Sequence, residues 1–310
     1  MRFAFFQIVL STIILLFASC EKDLNMTLVE SEKQVVVEGV IEKGELPYVI
    51  LTNSIGFFDK IDFNSVKYLR NANITVTDIT TGISQNLREY SLDTLVGGQR
   101  FSFGVYAPDF TNPASNLIKG QLNHLYRLVI QFEGKQYESI TKIPESTGLD
   151  SLRLEPVPGK ETQFSIIKAM YKDPDTLGNC VRLETRRQKM QKDSTAEVFL
   201  TSFGATYDDN IINGLRVPIT ISMGFDRNRN YTNEEFQNIG YVMKGDTVTV
   251  KWSAIDKQVY RFWETLAFAA GSVGNPFAAP TKIQSNISNG ALGVWAGYGS
   301  YYYTIIDSLK

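Results

Sequence analysis

The sequence predicts a mainly β protein built from two β-rich domains: an N-terminal immunoglobulin-like sandwich and a C-terminal β domain with one or two helices. Three observations carry this reading. Short runs rich in β-branched residues recur along the chain, turn residues separate them, and a single long stretch repeats apolar residues at helical spacing. A chain of 310 residues suits two domains better than one, and a hydrophobic content of 43% supplies their cores.

The chain opens with Arg2, an apolar run from Phe3 to Phe17, and the small pair Ala18-Ser19 before Cys20. A basic start, a short apolar core and small residues at the cut site describe a secretory signal over residues 1–19. Gln7, Ser11 and Thr12 interrupt the run, which falls short of the roughly 20 apolar residues a spanning helix needs. The small pair before a cysteine resembles the lipobox of bacterial lipoproteins, with Phe17 where Leu, Val or Ile is usual. That resemblance implies cleavage before Cys20, a diacylglyceryl group on its sulfur and acylation of the new amino terminus. Each buried methylene contributes about 0.8 kcal/mol, so two or more chains make a stable membrane anchor. A plain cleaved signal with a coincidental cysteine is the alternative.

Residues 20–33 are polar and charged and read as a tether. The sandwich is expected over 34–146. Val35–Val40, Tyr48–Thr52 and Asn73–Thr77 are β-branched runs, Tyr126, Leu128, Ile130 and Phe132 alternate, and Glu133-Gly134-Lys135 turns the chain into Gln136–Ile143. The cysteine pair and core tryptophan of true immunoglobulin domains are missing from this part, so the likeness is one of architecture. Pro144 to Leu149 punctuates the chain, and the second domain is expected over 147–310. Its strands include Thr162–Tyr171, Val181–Arg186, Thr247–Trp252 and the closing Tyr301–Ile306. Asn213-Gly214 between two apolar pairs predicts a two-residue hairpin. Val259, Phe262, Trp263, Leu266 and Ala270 recur at helical spacing behind Asp256, predicting a helix near 256–270 that Gly271 ends. Thr232-Asn233-Glu234-Glu235 has capping-box form and predicts a shorter one.

Composition narrows the function. With 31 basic and 33 acidic residues there is no basic stripe, so no nucleic-acid partner is expected. His124 is the single histidine, which removes His-rich zinc sites and metalloprotease helices, and no cofactor or metal is expected. With Cys20 lipidated, Cys180 has no disulfide partner and reads as a small buried apolar residue. Ser165-Ile166-Ile167-Lys168 matches a serine–lysine pattern, but its alternation reads as a strand. Asp226 to Asn230 resembles the start of a calcium loop, yet Tyr231 stands where glycine is needed and Gln237 where a bidentate glutamate is needed. Asp208-Asp209-Asn210 offers oxygen ligands and equally reads as a turn.

Several segments, in order, carry a family resemblance: Tyr171-Lys172-Asp173-Pro174, Asp208-Asp209-Asn210, Gly245-Asp246-Thr247-Val248, Gly274-Asn275-Pro276-Phe277 and Ser285 to Val294. With Val36-Val37-Glu38-Gly39 after an early cysteine, they resemble a Bacteroidetes lipoprotein family known as domain of unknown function 4249. Members commonly accompany TonB-dependent outer-membrane receptors. The resemblance therefore implies a non-enzymatic protein of the outer membrane that binds a ligand, or assists such a receptor, in nutrient uptake. Acidic residues after the cysteine, in Glu21-Lys22-Asp23, resemble the export signal that sends such lipoproteins to the cell surface; an ordinary charged tether is the alternative. An Asp-Ser/Thr-apolar tripeptide resembling the O-glycosylation acceptor of these bacteria recurs, and Thr94, Ser151 and Thr176 are the expected acceptors.

For ligand binding the residues point to the C-terminal aromatic and Asn-rich region: Asn275, Phe277, Asn286, Asn289, Trp295 and Tyr298. Amides there offer paired donors and acceptors and the rings offer flat apolar faces, a mixture suited to a small molecule, a sugar or a peptide. The competing reading has Asn and Gly fixing turns while the aromatics fill the core. Two other functions stay open: an adhesion or envelope-structural protein, and a carboxylate-dependent hydrolase with two acids converging in one cleft.

Overall fold

The structure, a computed structural model, describes residues 33–307 apart from 56–65, 97–98, 110, 112–116, 146, 189–197, 228 and 273–280. Seven strands form the first sandwich: β1 (Val35–Glu42), β2 (Tyr48–Asn53), β3 (Asn73–Asp78), β4 (Ile83–Val96), β5 (Gln99–Pro108), β6 (Leu125–Phe132) and β7 (Lys135–Lys142). They follow one another as β1-β2-β5-β4-β3-β6-β7. Lettered A to G in chain order, this is A-B-E-D followed by C-F-G, the two sheets of an immunoglobulin-like sandwich. β4 links the sheets, because Ile83 to Leu87 pair with β3 whereas Leu87 to Val96 pair with β5. Alternation decides which residues enter the core: Ile74 and Val76, Tyr126, Leu128 and Ile130 are all buried, and their strand neighbours are not.

The second part has two facing sheets. One joins β8 (Leu149–Pro156), β9 (Phe164–Lys172), β12 (Arg216–Ile221) and β13 (Val242–Met243), with β9 central. The other contains β10 (Cys180–Gln188), β11 (Thr206–Asp208), β14 (Thr247–Ile255) and β15 (Leu292–Ile306). Ile167, Ala169, Tyr171, Val181, Leu183 and Trp252 meet between them. β15 serves both sandwiches. Its first half lies parallel to β1, with Leu292 opposite Val36 and Tyr298 opposite Glu42, and its second half lies antiparallel to β14 from Gly299 to Ile306. One sheet of eleven strands therefore runs through the molecule. Gly293 permits the parallel pairing: its φ is 103°, and a Cβ there would stand 1.9 Å from the Val37 carbonyl oxygen. The division expected at 146/147 falls between β7 and β8, although Ile287, Ala291 and Trp295 from the C-terminal stretch belong to the first core.

Two helices lie among the described residues. α1 (Asn233–Asn238) starts with the full capping box: the Thr232 hydroxyl accepts from the Glu235 N–H, and the Glu235 carboxylate accepts from the Thr232 N–H. α2 (Lys257–Ser272) is capped by Asp256, whose Oδ1 accepts from the N–H groups of Gln258 and Val259 at 2.9 Å. Its other carboxylate oxygen accepts from the Thr141 hydroxyl and the Lys142 N–H, which ties the helix to β7. Val259, Tyr260 and Phe262 pack on Val294, Ala296 and Tyr298 of β15.

One local expectation is corrected. Asn213-Gly214 does not make a two-residue hairpin, because the strands on either side, β11 and β12, belong to different sheets. The N–H groups of Ile212 and Asn213 return to the Asp209 carbonyl, and this tight turn carries the chain from one sheet across to the other. The long β4–β5 pair also went unread in the sequence, since Asn86, Arg88, Glu89, Ser91 and Asp93 dilute its apolar alternation.

Candidate functional site

Cys20, the Glu21-Lys22-Asp23 signal, Asn275 and Phe277 lie outside the described residues. The other residues expected to bind a ligand hold the fold together. Trp295 is 0% exposed, fills the first core and donates from Nε1 to the Tyr126 carbonyl at 3.0 Å. Asn286 clasps the backbone of that tryptophan: its Nδ2 donates to the Trp295 carbonyl at 2.8 Å and its Oδ1 accepts from the Trp295 N–H at 2.9 Å. Asn289 sits in a left-handed turn, φ 55°, and donates to the Gln136 carbonyl. Tyr298 is buried, accepts from Trp263 Nε1 at 2.9 Å, and has its hydroxyl pushed up by burial. Trp295 and Tyr298 are enclosed and the Asn286 amide is spent on the Trp295 backbone, whereas Asn289 is exposed.

Of the glycosylation candidates, Ser151 and Thr176 are exposed; Thr94 lies in β4, with its side chain outside the described residues. Cys180 is buried, and burial pushes its thiol up to about 11. His124 is half-buried with Nδ1 2.8 Å from Asp78 Oδ2. Ser165 and Lys168 point to opposite faces of β9, so they form no catalytic pair. Asp209 is buried and accepts backbone N–H groups, as a turn residue does. Among the described residues, no group of three His, Cys, Asp or Glu side chains converges as a metal site.

A cavity of about 820 Å³ opens at the end of the second sandwich where β10 finishes, a volume within the roughly 300–1,000 Å³ usual for small-molecule sites. Phe164, Leu200, Met223, Phe225 and Met243 form its apolar walls, and α1 contributes Glu234, Glu235 and Asn238. Gly224 shapes it. A Cβ there would stand 2.1 Å from the Leu200 carbonyl oxygen, so only glycine lets the two segments cross, and its N–H donates to Thr185 Oγ1 at 2.7 Å.

Both arginines lining this cavity are held by neighbours. Arg187 donates from Nη2 to the Tyr241 carbonyl at 2.8 Å, with Nε 2.9 Å from Asp246 Oδ2. Arg229 donates to Glu235 Oε1 at 2.7 Å and lies 4.9 Å from the centre of the Tyr231 ring. Tyr231 meets Phe225 edge-on, Phe225 lies tilted against Phe203 with ring centres 4.8 Å apart, and Arg227 lies over both phenylalanines. The Thr232 backbone N–H holds the Glu235 carboxyl below its usual value. Val198 and Phe203 near the mouth are 67% and 66% exposed. Alternating rings and cations, with the carboxylate of Glu234 exposed at the edge, suit an amphipathic ligand. Sequence reading missed this site. Its lining comes from five separated stretches, of which only the Asp226–Tyr231 loop and the Thr232 capping box stand out in the sequence.

A second charged cluster, also unread, crosses the long sheet where the two sandwiches join. Lys251 Nζ lies 2.8 Å from Glu42 Oε2 and 3.7 Å from Glu184 Oε2. The rings of Tyr298, Tyr302 and Phe199 surround it at 5.3, 5.8 and 5.8 Å. The Tyr302 hydroxyl donates to Glu42, and burial followed by that carboxylate pushes its pKa up. The Arg182 guanidinium carbon sits over Trp263, 3.6 Å from the ring centre. Burial, then the nearby Glu38, Glu184 and Glu42, pushes the Tyr48 hydroxyl up to about 12. Glu42 comes from the first sandwich and Glu184 and Lys251 from the second, so this network locks the junction.

Fold and site together define a protein of two β-sandwiches sharing one strand, the second with a cavity of ligand size. The chain belongs to the family described as domain of unknown function (DUF4249), whose model matches residues 21–303. No curated protein matches it. No helix among the described residues is long and apolar enough to cross a membrane.

Proposed function

We propose that this protein is a lipoprotein of the outer membrane, anchored through Cys20 and carried to the exterior face under Glu21-Lys22-Asp23. There it binds a small amphipathic ligand and works beside a TonB-dependent receptor in nutrient uptake. The observation that carries the binding role is the cavity of about 820 Å³ in the second sandwich, with apolar walls and with Arg187 and Arg229 already paired. Prior pairing matters, because a ligand need not neutralise buried charge on entering. The address rests on the arrangement before Cys20, and the partner on the likeness to lipoproteins that accompany such receptors.

Each part has its own test. Cys20→Ala is expected to leave the protein soluble in membrane fractionation while the sandwiches still fold; retention in the membrane pellet would remove the lipid anchor. Met243→Trp, which fills the cavity mouth from β13, is expected to abolish ligand uptake without releasing the protein from the membrane. Unchanged uptake in that variant would show that the cavity is not the binding site. Co-purification of a TonB-dependent receptor with the native protein checks the partner, and intact mass checks glycan on Thr94, Ser151 or Thr176.

A further inference from the structure

The charges lining the cavity are unequally engaged. Among the described residues they are the carboxylates of Asp226, Glu234 and Glu235 against the guanidiniums of Arg187 and Arg229. Both guanidiniums are occupied, Arg187 by the Tyr241 carbonyl and Asp246, and Arg229 by Glu235. The Glu235 carboxylate also accepts from the Thr232 N–H at 2.8 Å. Asp226 makes contacts of its own. Glu234 differs. Its carboxylate has no hydrogen bond or ion pair with another described residue, and it stands exposed in the first turn of α1. Two further cations stand outside the lining and are engaged there. Arg227 lies over the Phe203 and Phe225 rings and donates to the Ser202 carbonyl, and Lys160 donates to Asn238.

The wall itself shows how a cation is held here. Arg229 donates to Glu235 Oε1 at 2.7 Å and has its guanidinium carbon 4.9 Å from the centre of the Tyr231 ring. A carboxylate and an aromatic face thus share one positive group. Glu234 is the next residue in the same turn and brings a second carboxylate to the same space, with no cation of the protein on it. An anionic head group meets the opposite conditions. To gain an arginine it must draw Arg187 or Arg229 from a standing partner, which leaves Asp246 or Glu235 without its cation. The lining therefore discriminates by repulsion as well as by attraction.

We propose that the ligand of this cavity is an organic cation: an apolar body ending in a protonated amine or guanidinium that Glu234 receives at the edge beside α1. This rests on the reading of the cavity as the binding site and names the chemistry of what enters it. Leu200, Met223, Phe225 and Met243 take the apolar body. Because Glu234 is exposed, its charge changes affinity by about two- to fivefold and salt weakens the effect, while the apolar walls supply the rest.

The test separates head group from body. The Cys20→Ala chain, which carries no lipid, is loaded with the neutral fluorescent dye N-phenyl-1-naphthylamine at pH 7.5. The dye is then displaced by octylamine, octanol or octanoate, which share one apolar chain and differ in charge. Octylamine is expected to displace the dye at about two- to fivefold lower concentration than octanol, with octanoate the weakest. The comparison is a ratio within each variant, so a general change in the cavity cancels. In Glu234→Gln the amine-to-alcohol ratio should fall to about one, and in Glu234→Lys octanoate should overtake octylamine. High salt should shrink the amine's advantage in the parent. Octanoate binding as tightly as octylamine in the parent would overturn the proposal, and so would an amine advantage that survives Glu234→Gln. A dye that fails to bind, or that binds equally to Met243→Trp, would overturn the cavity reading and the head-group assignment with it; a dye blocked by Met243→Trp but displaced without regard to charge would overturn the head-group assignment alone.

Discussion

The two sandwiches share a strand and differ in how they are filled. The first is closed around Trp295, which β15 lends to it, and the clasp of Asn286 fixes that ring's backbone. The second has Trp252 and Tyr171 packed at 4.8 Å in its middle but opens into a cavity where β10 ends. Closed packing gives rigidity, and an open end gives room for a ligand at the cost of buried apolar surface. The difference teaches that aromatic content does not by itself mark open space in a sandwich. The C-terminal aromatics are mostly core, and the cavity is built from residues scattered over the second sandwich.

The sharpest way to break this comparison is Trp295→Ala. It should cost about 3–5 kcal/mol in denaturant unfolding, because the fully buried ring leaves a hole and the Tyr126 carbonyl loses its donor. A loss near zero would mean that the first sandwich is not closed as described. Next comes Lys251→Met, expected to cost about 3 kcal/mol, since Glu42 and Glu184 are left facing each other at the junction without their cation. Adding Glu42→Gln should recover a large part of that loss, and a fully additive double variant would argue against the network.

A smaller effect is expected on the acid side. Burial alone would raise the Asp78 carboxyl, but hydrogen bonds from His124 and Thr81 outweigh it and hold the pKa below the usual value. The contribution is full above the unfolded value of about 3.9 and is lost as pH falls through the folded value. Asp78→Asn should therefore flatten the decline in denaturation midpoint between about pH 5 and pH 2; an unchanged slope would show that this pair does not set it. The smallest change is expected in the cavity wall. Met243→Ala, at a position 46% exposed, should stay within about 0.5 kcal/mol of the parent while weakening ligand uptake. A loss as large as that of Trp295→Ala would erase the distinction between a filled and an open sandwich.

Local physics was legible where neighbours in sequence are also neighbours in space. The Asp256 cap and the apolar spacing of α2, the Thr232 capping box and the alternation of β3 and β6 are all of this kind. The Asn213-Gly214 hairpin failed because turn chemistry says that the chain reverses without saying onto which sheet. The Asn286 and Trp295 pairing was invisible as structure: the same residue types serve a binding loop or a clasp, and burial alone separates the two.

By itself, the sequence determined a mainly β chain of two parts, its helices, and a cysteine placed as lipidated cysteines are placed. These follow from periodicity, capping and short motifs, all within a few residues. Only the tertiary structure decided that β15 joins both sandwiches, that Lys251 meets Glu42 from the other one, and that a cavity lies behind α1. The reason is range. Glu42 and Lys251 stand 209 residues apart, and no local preference encodes a contact that exists only after the strands have found their register.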